Sequence, residues 1–377
     1  MNTSCVLSGG GPQVARGRRQ RPEIGAAAVF VDAARALSYS EIVARRQCGL
    51  YAGLDTGASR TRCVVTDERG ALVSVGSGPA GAFHPAHPEA SAEAIRQALD
   101  EALTPIGASG VLVGLGLGVA GAGRTGRGKL LNLLAATGLA QHVVATHDAE
   151  AALWGAFPSG QGVVVIAGTG TVAYGRDGLG GEAQVGGWGR EIDDVGGAWW
   201  AGGQVLRAVA RAHDGRGPAT KLTELVLHAT ACCGPEDLIN WAREPTRTPR
   251  EIAELALLVE EAASQGDAVA FGIIQEAAHA LAELAGACAR RLAGTPESWR
   301  VALVGGLAAA SPILRQTFIE ALRCLAPDLQ PKPPAMPAVL GAILRLWAEI
   351  NAPADDDDLR TLISQIAYLP KHWGYCY

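Results

Sequence analysis

The chain has 377 residues, a formal net charge of −5, 48% hydrophobic residues and 18% charged residues. That much apolar material supports a sizeable core and excludes wholesale disorder, and the length suits about two domains. The acidic balance carries no overall electrostatic footprint for nucleic acid, and 28 of the 32 basic residues being arginine reads as a compositional bias, not a binding face.

Residues 1–48 stand apart. Seven arginines face three acidic residues there, Gly9-Gly10-Gly11-Pro12 opens the segment, and no period is sustained. The apolar stretch 24–31 is only eight residues long and is edged by Glu23 and Asp32, so a targeting segment is not expected. A basic, disordered extension is expected.

The ordered chain is expected to begin near Leu50. Short apolar strands are predicted at 50–54, 61–66 and 71–77, with Asp67-Glu68-Arg69-Gly70 as the turn between the last two. Ala92, Ile95, Leu99 and Ala102 recur at helical spacing over 89–103. A buried strand follows at 111–119, a helix at 130–137 stopped by Gly138, and a strand at 142–146. Another strand pair lies at 162–167 and 171–174. Beyond Gly196 the pattern is helical, broken around 214–218 and 244–249. A last buried strand is expected at 300–304, then helices from Pro312 and from Ala338.

The uncharged run 102–123 is long enough to span a bilayer, but Pro105 and seven glycines break it into strand and loop, so no membrane partner is expected. The eight cysteines form no CxxC pair, and their scattered placement suits reduced thiols and a cytoplasmic location. A strand, a glycine turn and a second strand occur at 50–66 and again at 162–174. This is the plan of an α/β protein with two like domains and two glycine turns across a cleft.

The first turn reads Asp55-Thr56-Gly57-Ala58-Ser59-Arg60-Thr61. Gly57 permits close backbone approach, Ser59 and Thr61 offer hydroxyls to phosphate oxygens, and Asp55 at a strand end suits a hydrated Mg²⁺. An ordinary hairpin with an Asx turn is the plainer reading. The second turn, Gly168-Thr169-Gly170-Thr171, suits a second phosphate cradle or again a hairpin. Val304-Gly305-Gly306, followed by Ser311-Pro312, makes a strand, a double glycine and a helix N-terminus on which a nucleoside could rest. Asp148 in Thr146-His147-Asp148-Ala149 follows a strand and opens a helix. It is placed to act as a general base or as that helix's N-cap. Gly186-Gly187-Trp188-Gly189 and Asp193-Asp194-Val195-Gly196-Gly197 suit a grip on a small hydroxylated ligand, or a structural loop. Asp355–Asp358 read as a solvated linker or a helix start.

Taken in order, GLDTGASRT, GVAGAGR at 118–124, HDA at 147–149, IAGTGT, GGWG and VGGLAAASP resemble the BadF/BadG/BcrA/BcrD-type group of the sugar kinase, Hsp70 and actin superfamily. That group includes N-acetylglucosamine and glucosamine kinases. The resemblance runs from about residue 50 to 349. It implies two ribonuclease-H-like (actin-like ATPase) domains with ATP and Mg²⁺ in the cleft between them. The N-terminal domain would span 49–147, completed by 337–350, and the C-terminal domain 148–336 with a helical insertion, leaving 351–377 as a tail.

Carried over residue by residue, Asp55 falls on the magnesium-associated position and Gly57, Ser59, Arg60 and Thr61 on the first phosphate loop. Gly168, Thr169, Gly170 and Thr171 fall on the second loop, and Gly305 and Gly306 on the adenosine motif. Asp148 falls on the catalytic base, and Val185, Gly187 and Asp194 join it at the sugar site. Three positions depart from the family's habit: Val195 replaces an acidic residue, Gly81 an asparagine, and His147 an asparagine. The implied activity is transfer of the ATP γ-phosphoryl group to a hydroxyl of an amino sugar, with a homodimer as a further expectation. The alternatives are a non-catalytic ATP-binding sensor and an ATPase activator of a dehydratase.

Overall fold

The computed structural model describes residues 49–108, 111–122, 127–135, 137–293, 299–352 and 354–373. The basic extension 1–48 and the end of the 118–124 motif lie outside the described residues. The strands are β1 (Tyr51–Thr56), β2 (Thr61–Thr66), β3 (Leu72–Gly78), β4 (Leu112–Val119), β5 (Ala140–His147), β6 (Gly162–Ala167), β7 (Thr171–Arg176), β8 (Glu182–Gly186), β9 (Arg300–Val304) and β10 (Gln330–Pro331). The helices are α1 (Pro88–Leu103), α2 (Arg127–Ala135), α3 (Asp148–Ala156), α4 (Ala198–His213), α5 (Leu222–Thr230), α6 (Asp237–Arg243), α7 (Pro249–Glu254), α8 (Leu257–Ser264), α9 (Ala268–Ala289), α10 (Gly306–Ala310), α11 (Pro312–Leu325), α12 (Ala338–Glu349) and α13 (Asp356–Ser364).

Two five-stranded sheets carry the same plan. The first runs β3-β2-β1-β4-β5 and the second, read from its other edge, β8-β7-β6-β9-β10. In each, the first two strands are antiparallel neighbours, and the fourth strand returns parallel to the first through helical connections. β8 and β10 were not legible in the pattern. β8 is five residues ending in glycine, and β10 is a two-residue edge that Pro331 can occupy because an edge strand needs no ladder donor on its outer side.

The strands of the first sheet alternate by face. Ala52, Leu54, Cys63, Val65, Leu115, Leu117 and Val119 point to one core, closed by Ile95, Ala98 and Leu99 of α1. The other face of β1 and β4 carries Gly53, Gly114 and Gly116 because α12 lies directly on it. A Cβ on Gly53 would stand 2.3 Å from the Val339 carbonyl oxygen, and one on Gly116 2.2 Å from that of Ala342. Thus α12 packs on the first sheet, and Val339, Leu340, Ile343, Leu344 and Trp347 are buried there. Each such side chain stabilises the join by about 1.5–3 kcal/mol of transfer free energy.

The second sheet buries Val163, Val165, Ala173 and Val301 under α9 and α11. α9 is long and apolar enough to cross a membrane, yet it is a core helix here: Ile274, Ala278, Leu281, Ala282 and Ala285 are buried in this cluster. The helical breaks near 214–218 and 244–249 fall between α4 and α5 and between α6 and α7.

Candidate active site

β1 and β2 are joined by a tight turn in which the Gly57 N–H donates to the Arg60 carbonyl (2.9 Å). The Gly81 N–H then donates to the Gly57 carbonyl (3.1 Å), tying the next loop against this turn. Gly81 has a steric reason for being glycine. A Cβ there would meet Thr56 Cγ2 at 2.6 Å and Ala94 Cβ at 2.8 Å, so no asparagine fits on this backbone.

Strand register sets the first charge pair. Asp55 lies opposite Arg62 across the β1–β2 ladder, and Arg62 Nη1 donates to Asp55 Oδ2 at 3.0 Å. Arg62 was not singled out in the sequence; the signal was its register position, one strand away from an aspartate. Thr61, in contrast, is buried and donates its hydroxyl to the Pro79 carbonyl (2.8 Å), so its side chain serves the fold and does not line the cleft.

The second turn follows β6. The Gly168 N–H donates to the Gly170 carbonyl (3.0 Å), while Gly168 and Thr169 carbonyls accept from Ala198 and Trp199 at the start of α4. Gly170 makes room for Asp194: a Cβ would stand 2.2 Å from Asp194 Oδ2. Asp194 itself adopts φ 62°, a left-handed conformation that aspartate tolerates better than branched residues do. Its side chain is buried, and its Oδ1 has no hydrogen-bond partner in the protein. Burial pushes its carboxyl above the ordinary range, while the backbone N–H groups of Thr171 and Gly189 pull the other way. A buried acceptor left open beside a cleft is a place for a ligand hydroxyl.

Asp148 opens α3. The N-cap is not Asp148 but His147, whose Nδ1 accepts from the Glu150 N–H (3.2 Å) and whose ring stands edge-on to Tyr174 with centroids 4.4 Å apart. Asp148 is thereby released from capping; only its Oδ1 accepts locally, from the Ala149 N–H (3.0 Å). Burial, and secondarily the charge of Asp55, raise its carboxyl to about 6. A carboxylate poised there is mostly ionised at neutral pH and basic enough to receive a proton.

These groups converge on a cleft with two adjoining lobes of about 670 and 640 Å³. Asp55, Arg62, Asp148, Ile166, Gly305 and Gly306 line both. The first lobe adds Gly57, Ser59, Arg60, Gly168, Thr169, Gly170, Thr171, Gly187 and Asp194. Of the sugar-site positions, Val185 is the exception. It packs against the second core, and its neighbour Gln184 lines the cleft instead. Gly305 sits at φ 107°, and a Cβ would strike the Ala167 carbonyl at 2.5 Å, so only glycine allows β9 to turn into α10 this close to β6. The wall formed by Arg250, Ala253, Glu254 and Leu257 of α7 and α8 escaped sequence reasoning, because nothing local marks a helix as facing a cleft.

Comparison with known proteins follows this geometry. The chain is 32% identical over 232 residues to the N-acetylmuramic acid/N-acetylglucosamine kinase of Clostridium acetobutylicum, covering 61% of this chain and 76% of that one. It is 30% identical over 258 residues to the N-acetyl-D-glucosamine kinase of Dictyostelium discoideum, covering 64% and 80%. A crystal structure from Chromobacterium violaceum, provisionally described as an N-acetylglucosamine kinase, superposes with a TM-score of 0.65 at 26% identity over 79% of this chain and 98% of that one. Two sheets of one order, two glycine turns on one cleft and a family sequence model matching residues 52–344 lead to one conclusion: the chain belongs to the BadF/BadG/BcrA/BcrD ATPase family.

Proposed function

We propose that this protein is an ATP-dependent amino-sugar kinase that transfers the γ-phosphoryl group of ATP to a hydroxyl of N-acetylglucosamine, glucosamine or a close relative. The observation that carries this reading is the pairing of Asp148, poised at about 6, with Asp194, whose buried Oδ1 has no hydrogen-bond partner in the protein, on a cleft that also holds both glycine turns. The two curated relatives named above act on such sugars, which supports the acceptor class.

In this reading Gly57, Ser59 and Arg60 face the phosphates from one side and Gly168, Thr169, Gly170 and Thr171 from the other. Gly305 and Gly306 underlie the adenosine. Asp194 accepts from a sugar hydroxyl and Gly187 lets the acceptor approach the backbone. Asp148 takes the proton of the attacking hydroxyl as its oxygen bonds to the γ-phosphorus and the bond to the bridging oxygen breaks, releasing ADP. The work of the protein is positioning and charge neutralisation.

Mg²⁺ keeps its waters and binds through one carboxylate plus substrate phosphates, and the Asp55 carboxylate lining the cleft fits that chemistry. Asp55 is the residue that would hold it, and the ion would supply charge neutralisation at those phosphates. The domain partition that accompanies this reading is 49–147 with 337–350, 148–336, and a tail. A cytoplasmic homodimer is its assembly.

The test is ADP release with Mg²⁺–ATP and, in turn, N-acetylglucosamine, glucosamine, N-acetylmuramic acid, glucose or no acceptor. Turnover should depend on an amino sugar. Asp194→Asn should raise the acceptor KM by about tenfold or more while leaving the affinity for ADP unchanged, since it removes one charged hydrogen-bond acceptor from the sugar end. Rates no higher with any sugar than without an acceptor would sink the kinase assignment, and no ADP release at all would favour a nucleotide sensor without turnover.

A further inference from the structure

The family match ends at residue 344, and the chain continues into a segment that returns to the β1–β2 hairpin. Asp355 caps α13 through a capping box with Asp358, and Leu362, Leu369 and Trp373 are buried against Val64, Leu340, Ile343 and Trp347. The Leu72 N–H donates to Gln365 Oε1 (3.1 Å), pinning the segment to the edge of the first sheet. Trp373 is 2% exposed. So seated, the segment presents two carbonyls to the first phosphate turn. Arg60 Nη1 donates to the His372 carbonyl (3.1 Å), and Arg62 Nη2 donates to the Trp373 carbonyl (2.7 Å).

Arg62 is therefore a bridge. One amino group holds the Trp373 carbonyl and the other holds Asp55 Oδ2, and the guanidinium lines both lobes of the cleft. The planar fork fixes both contacts in one geometry, which a lysine ammonium, a point charge on a flexible stem, does not. We propose that Arg62 is a positioning residue, fixed by the strap formed by residues 354–373, that orients Asp55 for its role at the nucleotide phosphates. This rests on the ATP reading given above. The strap lies beyond the family-matched span, residues 52–344.

The experiment compares the full chain with Arg62→Lys and Trp373→Ala. Calorimetric titration with ADP, with and without Mg²⁺, gives the gain in affinity contributed by the ion. That gain should fall about five- to tenfold in both variants, and the double variant should lose no more than either single one, because both break one bridge. Hydrogen exchange on the ligand-free proteins supplies a readout free of nucleotide: amides of residues 57–62 should exchange faster in both variants. Arg62→Lys leaves the buried tryptophan in place, so it tests the bridge even if Trp373→Ala fails to fold. An unchanged Mg²⁺ gain with unchanged exchange in Arg62→Lys would overturn the proposal, as would additive losses. A wild-type chain that binds no ADP at all would instead overturn the ATP reading itself.

Discussion

Replacing Asp148 by asparagine should make the ligand-free protein more stable while removing most of its turnover. The amide keeps the shape of the side chain and can still accept from the Ala149 N–H, so the principal change is loss of charge. Burial and the nearby Asp55 hold the Asp148 carboxyl at about 6, against an ordinary 3.8. A raised carboxyl means that the folded chain binds the proton more tightly than the unfolded one. Stability from this group is therefore full below about pH 4 and is lost as pH rises through about 6. At 1.36 kcal/mol per tenfold, the charged carboxylate costs about 3 kcal/mol at pH 7.5, and about 1 kcal/mol of that remains at pH 4.5. Paired urea titrations of wild type and Asp148→Asn at the two pH values measure both figures. The variant should be the more stable by about 3 kcal/mol at pH 7.5 and by about 1 kcal/mol at pH 4.5. Turnover should fall by about 10²- to 10⁴-fold, the usual worth of a general base. Equal stability at pH 7.5, or a gain of the same size at both pH values, would refute the electrostatic reasoning. In an Asp55→Asn background the gain should shrink, because one source of the raised affinity for the proton is gone.

Glu150 and Gly341 test how α3, which opens with Asp148, is held. Glu150 is 4% exposed and accepts from Arg345 Nε at 2.7 Å, with Arg176 Nη1 at 4.0 Å. Arg345→Ala leaves that carboxylate short of its main partner and should destabilise by about 3 kcal/mol in chemical denaturation, whereas Glu150→Leu with Arg345→Met should recover at least half. Gly341 lies where α12 crosses α3, and a Cβ there would stand 2.1 Å from the Ala151 carbonyl oxygen and 2.3 Å from the Gly155 nitrogen. Gly341→Ala should therefore force the helices apart, costing about 2–3 kcal/mol by thermal melting, with turnover falling as Asp148 shifts.

What the sequence disclosed and what it withheld divide along physical lines. Strands with a strong apolar pattern, such as 162–167 and 300–304, are found where expected, since burial leaves a nearly continuous apolar run. The glycine turns were visible because close approach allows few residue types. Long-range register was not visible. Arg62 matters because it lies opposite Asp55, and Gln184 lines the cleft in place of Val185 because strand alternation sends the valine to the core. The capping of α3 turned on a choice between neighbours: His147 and Asp148 can both accept from a helix N-terminus, and the chain uses the histidine, freeing the carboxylate. The four aspartates 355–358 leave a solvated linker or a helix start open, and the structure has the helix start, capped by Asp355. The tail's apolar spacing (Leu359, Leu362, Ile363, Ile366) is that of a helix with one buried face, and it becomes legible once Asp355 is taken as a cap.

The duplication of the sheets sharpens the division of labour. Each sheet opens with the same hairpin, so the position of Asp55 opposite Arg62 in the first corresponds to Ile166 opposite Val172 in the second. All four side chains lie on the cleft, yet only the first pair is charged. In the second sheet the acidic group comes instead from the loop after β8, where Asp194 reaches back to fill the space that Gly170 leaves. One backbone plan thus yields unlike halves: a rigid charge pair suited to phosphates on one wall, and a buried, half-satisfied carboxylate suited to a hydroxyl on the other. Asp148 opens the helix after β5, at the junction between the halves, and lines the cleft with both. That placement is what a base must have if it is to meet an acceptor held at Asp194 while its target phosphate lies between the two glycine turns.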